Sequence, residues 1–406
     1  MNDNKKDGSR LLENRRQVKL FLGQGAWHRP CFLPYDQLLA KHLLILGQTG
    51  AGKSTSAKQM IGQLQEANIT NIIFDPTGEY QRDIDHSVTY KVGENGYIDL
   101  RSRSAEAIVR LLGLHWSAEL IAKLQAAMTS LRIQATLPVE RAGADGLYQK
   151  VDRPAADYEK AAKALTVLNQ DYDMALLAKQ LVQEFVQPFS DERADYNLLG
   201  QELDHEAIQR HWAAIQELQQ RLDDEQLNRI FHFHPVQEAT TQYELSFVLQ
   251  TFEEKKAARR SLIVDLSALQ RYSNVQQSVL SDLMDNILMN RLASSVRQPV
   301  AIFLDEAHRY LDLTRPINEN GLFHLLREGR KVNLNLAIST QSQEDLPLAM
   351  RGQFASLLIH RYPSTDEFET LGLSEREGKK VARLAIGQAL LKTEKKHRFL
   401  KIKKPQ

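Results

Sequence analysis

Gly47-Gln48-Thr49-Gly50-Ala51-Gly52-Lys53-Ser54 have the residue types and spacing that hold a triphosphate. Gly50 and Gly52 can adopt backbone angles closed to other residues, so successive N–H groups turn inward on phosphate oxygens. Lys53 would reach the β- and γ-phosphates, and the Ser54 hydroxyl is a magnesium ligand. A second set is Asp305-Glu306, which closes the apolar run Val300 to Leu304. Asp305 would hold the Mg²⁺ shell, and Glu306 would orient and deprotonate the attacking water. Gln341 ends the next apolar run, where an amide can contact the γ-phosphate or the lytic water. Arg327 and Arg330 sit in a Gly-containing turn just before that run; planar donors there suit a finger reaching a neighbouring subunit's nucleotide. Together these residues point to binding and hydrolysis of a Mg²⁺-bound nucleoside triphosphate.

Chemistry at these positions needs a scaffold that brings residue 50 to residue 305. Leu43 to Leu46 read as a strand buried on both faces, and the loop after it opens a helix over Lys53 to Gln65 with Ala57, Met60, Ile61 and Leu64 on one side. Ile72 to Phe74, Ser261 to Leu266, Val300 to Leu304, Leu334 to Ser339, Ala355 to His360 and Gln388 to Leu391 read as further strands. Val88 to Val92 and Tyr97 to Leu100, split by Gly93-Glu94-Asn95-Gly96, predict a hairpin. A long helix carries Val279, Leu283, Ile287 and Met289. The pattern predicts an α/β fold with a central, mainly parallel sheet, whose strand ends carry the ligand site.

From Ala105 to about Ile230 the spacing is helical: Leu120, Leu124 and Leu131, then Ile208, Trp212, Ile215, Leu218 and Leu222. The expected organisation is an N-terminal segment over 1–34, partly disordered with short strands from residue 18 onward. The core would follow over 35–104, a helical insertion over 105–235, the rest of the core over 236–392 and a basic tail over 393–406.

No run approaches the ~18 apolar residues of a membrane span, and the polar start has no signal-peptide stretch. The expectation is a cytoplasmic protein without a membrane partner. Cys31 is the only cysteine, which excludes an internal disulfide and a cysteine-based metal cluster. The formal net charge of +1 means that a nucleic-acid surface must be a local patch or be built by assembly.

Five stretches in this order resemble the HerA family of hexameric DNA-translocating ATPases, within the wider HerA and FtsK group. They are Gly47 to Ser54, Asp75-Pro76-Thr77-Gly78-Glu79-Tyr80, Asp305-Glu306-Ala307-His308, Arg327-Glu328-Gly329-Arg330-Lys331 and Ser339-Thr340-Gln341. The resemblance covers roughly residues 35 to 100 and 255 to 392. It implies a RecA-like P-loop core, a six-membered ring, ATP and Mg²⁺ used between subunits, and double-stranded DNA in the central channel. Working partners in the family are nucleases in end processing or effector enzymes in phage defence. The nucleotide site so implied comprises Gly47, Gln48, Thr49, Gly50, Ala51, Gly52, Lys53, Ser54 and Thr55 with Asp75 and Glu79. Arg330 stands at the position of the trans-acting arginine finger.

Two departures from the family pattern stand out. Thr77 replaces the usual His, and only 46 residues precede Gly47, where the family usually carries a β-barrel. A short form lacking most of that barrel is expected. A second reading remains beside the motor: an ATP-gated platform that organises an effector without moving DNA.

A ring multiplies each inward-facing positive residue, so a near-neutral subunit can still build a positive channel. Arg315, in the loop after the Asp305-Glu306 strand, is the first expected DNA contact. Lys255, Lys256, Arg259 and Arg260 form a second patch. The basic run Lys392, Lys395, Lys396, Arg398, Lys401, Lys403 and Lys404 is a third.

Overall fold

The computed structural model describes residues 18–39, 41–136, 145–166, 171–234, 241–255, 258–311, 316–363 and 366–402. Expectations placed on the start of the N-terminal segment, Lys256, Arg315, Lys403 and Lys404 lie outside the described residues. The chain divides into two compact units: residues up to Val92 together with those from Leu245 onward, and Gly93–Glu244.

The first unit is built on one sheet. Before the intervening unit come β1 (Lys19–Gln24), β2 (Pro30–Pro34), β3 (Leu43–Leu46), β4 (Thr70–Asp75) and β5 (Ser87–Lys91). The two-residue strands β6 (Gly96–Tyr97), β7 (Val186–Gln187), β8 (Glu202–Leu203) and β9 (Tyr243–Glu244) belong to the second unit. The first unit resumes with β10 (Ser261–Asp265), β11 (Val300–Leu304), β12 (Leu334–Thr340), β13 (Ser356–Ile359), β14 (Gln388–Lys392) and β15 (His397–Lys401). The eleven strands lie in the order β2-β1-β15-β14-β13-β3-β12-β11-β4-β10-β5. From β13 to β5 every neighbouring pair is parallel. Strands β14, β15, β1 and β2 extend that block with antiparallel pairs.

Sequence explains the burial. Strands β3, β4, β10, β11 and β12 are buried at every residue, as continuous Leu, Ile, Val and Phe runs require in a sheet covered on both faces. The helix Lys53–Glu66 presents Ala57, Met60, Ile61 and Leu64 to one face, where they join Ile45, Ile73, Ile263, Phe303 and Ala337. Each large aliphatic chain buried there contributes roughly 1.5–3 kcal/mol. Alternate residues such as Leu44, Ile72 and Ile302 are equally buried and point to the opposite face.

Two expectations are corrected. The hairpin over Val88–Val92 and Tyr97–Leu100 does not form: β5 lies parallel to β10, and β6 pairs in parallel with β9. Alternation marks a half-buried strand but not its partner. The basic run read as a tail is, over His397–Lys401, a strand that pairs with β14 along its length. Leu400 is buried and Phe399 half-buried on it, among exposed cations that masked the pattern.

The second unit is mainly helical, with Ala105–Leu111, Ala118–Thr136, Ala155–Ala164, Leu177–Gln183, His205–Asp223 and Glu225–Phe231. Ser104 and Asp204 cap two of these helices by accepting from Ala107 N and Ala207 N. Leu120, Leu124, Leu131, Ile215, Leu218 and Leu222 are buried as their spacing predicts. Among the described residues no helix is long and apolar enough to cross a membrane.

Candidate nucleotide site

The glycine loop leaves β3 at the carboxyl edge of the sheet and enters the helix at Lys53. Gly47 (φ +151°) and Gly52 (φ +106°) hold angles that side chains resist. Gly47 is doubly constrained, because an added Cβ would meet His360 Cβ at 2.7 Å. Gly52 caps the helix without a side-chain acceptor, so the first amides remain available to an anion and the dipole favours one. Lys53 is buried, and its Nζ donates to Gly47 O at 2.8 Å and lies 3.5 Å from Gln48 O. Burial pulls its ammonium below the usual lysine range, against the carboxylates of Glu306, Asp305 and Asp345, which push it up.

Asp305 is the hub facing that loop. Its Oδ2 accepts from Ser54 Oγ at 3.0 Å and from the Tyr80 hydroxyl at 2.9 Å. Its Oδ1 accepts from Glu306 N at 3.0 Å and from the Ser339 hydroxyl. Parallel pairing of β11 with β4 and β12 puts all these donors at the same end of the sheet. Ser54 and Asp305 thus bring together two hard oxygen donors, a set that fits Mg²⁺, which takes one or two protein oxygens and completes its shell with phosphates and water. Bound there, the ion would neutralise phosphate charge.

Glu306 takes a left-handed backbone (φ +53°), unusual for a non-glycine residue. Its carboxylate faces His308 Nε2 at 3.4 Å and Arg309 Nε at 3.7 Å. Gln341 is exposed directly after β12, beside Thr340, whose hydroxyl donates to Asp345 at 2.5 Å. The Asp75 carboxylate is filled by the turn after β4. It accepts from Thr77 N (3.0 Å), the Thr77 hydroxyl (3.1 Å), Gly78 N (2.9 Å) and Tyr80 N (2.8 Å). Fully buried, Asp75 shapes that turn and delivers Tyr80 to Asp305, while Glu79 is exposed on it.

Arg330 lies elsewhere. It is exposed on the short turn Gly329–Val332, ahead of the amino end of β12. The opposite end of that strand, at Thr340, pairs with Leu46 beside the phosphate loop. The 7-residue β12, about 20 Å of extended chain, therefore separates Arg330 from its own chain's loop. Arg330 lines a cleft of about 430 Å³ with Lys41, Lys392 and Glu394. Arg327 is turned back over the Phe323 ring, its guanidinium carbon 5.4 Å from the centroid. Lys255, Arg259 and Arg260 precede β10 at the same amino edge, all exposed. Arg398 and Lys401 of β15 line a cleft of about 780 Å³ with Arg29 and Lys380.

Several groups at the site escaped the sequence. Tyr80 was in plain view inside its motif but carried no assigned contact. Ser339 also lay inside a quoted motif, and its contact with Asp305 emerges only with β12 beside β11. His360 follows β13 and sits behind the loop, its Nε2 3.0 Å from Ser56 Oγ. Arg361 O accepts from Gln48 N at 3.0 Å, and the Gln48 side-chain oxygen, turned toward Arg361, accepts from its guanidinium at 2.5 and 2.9 Å. No local spacing signals these two, since β13 joins β3 from more than 300 residues away.

A glycine loop between a buried parallel strand and a helix, facing a carboxylate from the strand one place beyond its neighbour, defines a RecA-like P-loop ATPase. The chain belongs to the family described as Helicase HerA, central domain, whose model matches residues 28–287. It is 22% identical over 365 residues to Probable helicase MJ1565 of Methanocaldococcus jannaschii, covering 88% of this chain and 61% of that relative's length. A match to an uncharacterised Aquifex aeolicus protein is 38% identical over 55 residues, 20% of that protein. The chain thus spans less than two thirds of these curated relatives. Among solved structures, VirB4 of Thermoanaerobacter pseudethanolicus superposes with a TM-score of 0.64 at 14% identity, covering 95% of this chain and 97% of that one. The plasmid coupling protein TrwB in complex with ADP and Mg²⁺ gives 0.57 at 15% identity, covering 98% and 92%. These likenesses show the shared fold.

Proposed function

We propose that the chain is an ATP-driven motor in which six copies form a ring, hydrolyse Mg-ATP between adjacent subunits and move duplex DNA. A nuclease or other effector protein would be its working partner, in DNA end processing or phage defence in the cytoplasm. One observation carries this reading: Arg330 stands at the amino edge of the sheet while the phosphate loop stands at the carboxyl edge. A guanidinium held there serves a nucleotide on another subunit better than its own. The helicase names of the family and of the Methanocaldococcus relative support action on DNA.

In this reading the loop amides and Lys53 hold the triphosphate. Ser54 and Asp305 hold the Mg²⁺, with Asp305 fixed in turn by Tyr80, Ser339 and the Glu306 amide. Glu306 takes a proton from the attacking water as its oxygen bonds to the γ-phosphorus. The bond from that phosphorus to the bridging oxygen breaks, and ADP carries the oxygen away. Arg330 of the neighbouring subunit balances charge on the phosphoryl oxygens. Glu79 and Gln341, both exposed near the loop edge, are the groups free to meet the nucleotide or the water.

The test is displacement of a protein roadblock from linear duplex DNA. Clearance that needs ATP, and that Glu306→Gln abolishes, supports the motor. ATP hydrolysis with complex formation but no clearance leaves the assembly platform instead.

A further inference from the structure

His42 immediately precedes β3, eleven residues before Lys53, yet both of its ring nitrogens bond to residues outside the phosphate loop. The ring is fully buried and its backbone is left-handed, with φ +57°. Nδ1 accepts from Leu336 N at 3.0 Å, in the middle of β12. With Nδ1 an acceptor, the proton of a neutral ring is on Nε2, which therefore donates to Leu326 O at 3.0 Å. Leu326 belongs to the last turn of the helix Gly321–Glu328, where carbonyls lack partners within the helix. That helix runs directly into Gly329–Val332, the turn that carries Arg330. One imidazole thus ties together the start of the phosphate-loop strand, β12 and the element that ends in Arg330.

We infer that His42 is a positioning residue for hydrolysis in trans: its bond to Leu326 sets where Arg330 projects toward a neighbouring subunit's nucleotide. The inference rests on the reading of Arg330 as a trans-acting residue. The ring's environment agrees with a permanently neutral link. Burial takes His42 down to about 4, against the pull of the Leu326 carbonyl, and the nearby positive charge of Arg330 adds to the fall. At neutral pH a proton on Nδ1 would set two donors, the ring and Leu336 N–H, against each other.

The bond geometry separates two roles by substitution. Asn can replace the Nδ1 acceptor and spare Leu336 but cannot reach Leu326, whereas Gln can place an N–H near the Nε2 position and keep the link to Leu326. His42→Asn should therefore lower ATP turnover roughly 10²-fold, the scale of a misplaced catalytic group, with nucleotide affinity unchanged. His42→Gln should retain most of the turnover. Mixed assemblies then read which side of an interface is damaged. His42→Asn mixed with Glu306→Gln should regain activity, because intact loops meet intact fingers. His42→Asn mixed with Arg330→Ala should not, because every finger is compromised. Rescue by Arg330→Ala but not by Glu306→Gln would place the defect in the chain's own phosphate loop and overturn the inference, as would rescue by neither. Full turnover by Arg330→Ala alone would instead remove the finger reading itself.

Discussion

Tyr80 donates its hydroxyl to Asp305 Oδ2 at 2.9 Å, bridging the turn after β4 to the carboxylate that ends β11. The tyrosine is held there by Asp75, which accepts from its backbone N–H at 2.8 Å. The Asp-Pro-Thr-Gly-Glu-Tyr stretch therefore acts on the site through its first and last residues, the first as scaffold and the last as contact.

Tyr80→Phe should weaken Mg²⁺ use more than nucleotide binding. Groups that orient a metal ligand typically contribute 10–100-fold in metal affinity. ATP turnover measured across a Mg²⁺ titration should show a half-saturation shifted at least tenfold upward. An unshifted curve would reduce Tyr80 to packing.

Glu306→Gln should keep nucleotide binding and lose roughly 10²–10⁴-fold in turnover, since shape survives while the base is gone. Lys53→Ala should weaken binding as well, because the buried ammonium beside Gly47 would be lost from the loop that holds the phosphates. Steady-state turnover with a separate binding assay distinguishes the two, and wild-type turnover in the Glu306 variant would remove it from the base role.

Two buried histidines predict an acid-sensitive fold. Burial takes both His42 and His360 to about 4, with Lys53 adding to the fall at His360. Both rings are neutral when folded and protonate near 6.5 when unfolded, so below that value the unfolded chain binds more protons and stability falls as pH drops toward 4. Each ring should cost about 2 kcal/mol by pH 5 relative to pH 7. Urea unfolding at the two pH values, with and without His42→Asn, should show the variant losing less; an equal loss would contradict it.

Duplex DNA binding should fall steeply between about 50 and 200 mM salt, and scrambled duplexes should bind alike. Arg259 and Arg260 share the amino edge of the sheet with Arg330. Replacing both with Glu should flatten the slope of log affinity against log salt. An unchanged slope would move the contact to the basic cleft of Arg29, Lys380, Arg398 and Lys401.

The parts of the site legible in the sequence are those whose chemistry is local. Gly47 to Ser54 needed only its own spacing, and Asp305-Glu306 needed only the apolar run before it. The parallel sheet followed from strands apolar throughout, such as Ile72 to Phe74. What stayed hidden depends on which strands become neighbours. Ser339 reaches Asp305 because β12 lies beside β11, and His360 reaches Ser56 because β13 lies beside β3. The failed hairpin at Gly93 to Gly96 has the same cause, since β5 found its partner in β10, far along the chain. His42 carried no reading in the sequence, because its partners Leu326 and Leu336 lie almost 300 residues further along the chain.

The central claim is that each ATP is hydrolysed between two subunits, and complementation tests it most directly. Glu306→Gln and Arg330→Ala, each inactive alone, are mixed over a range of ratios and ATP turnover is recorded. Activity should return with a maximum near equal proportions, where most interfaces pair an intact base with an intact arginine. Turnover that never exceeds either variant alone, with light scattering showing monomers in the presence of ATP, would contradict it.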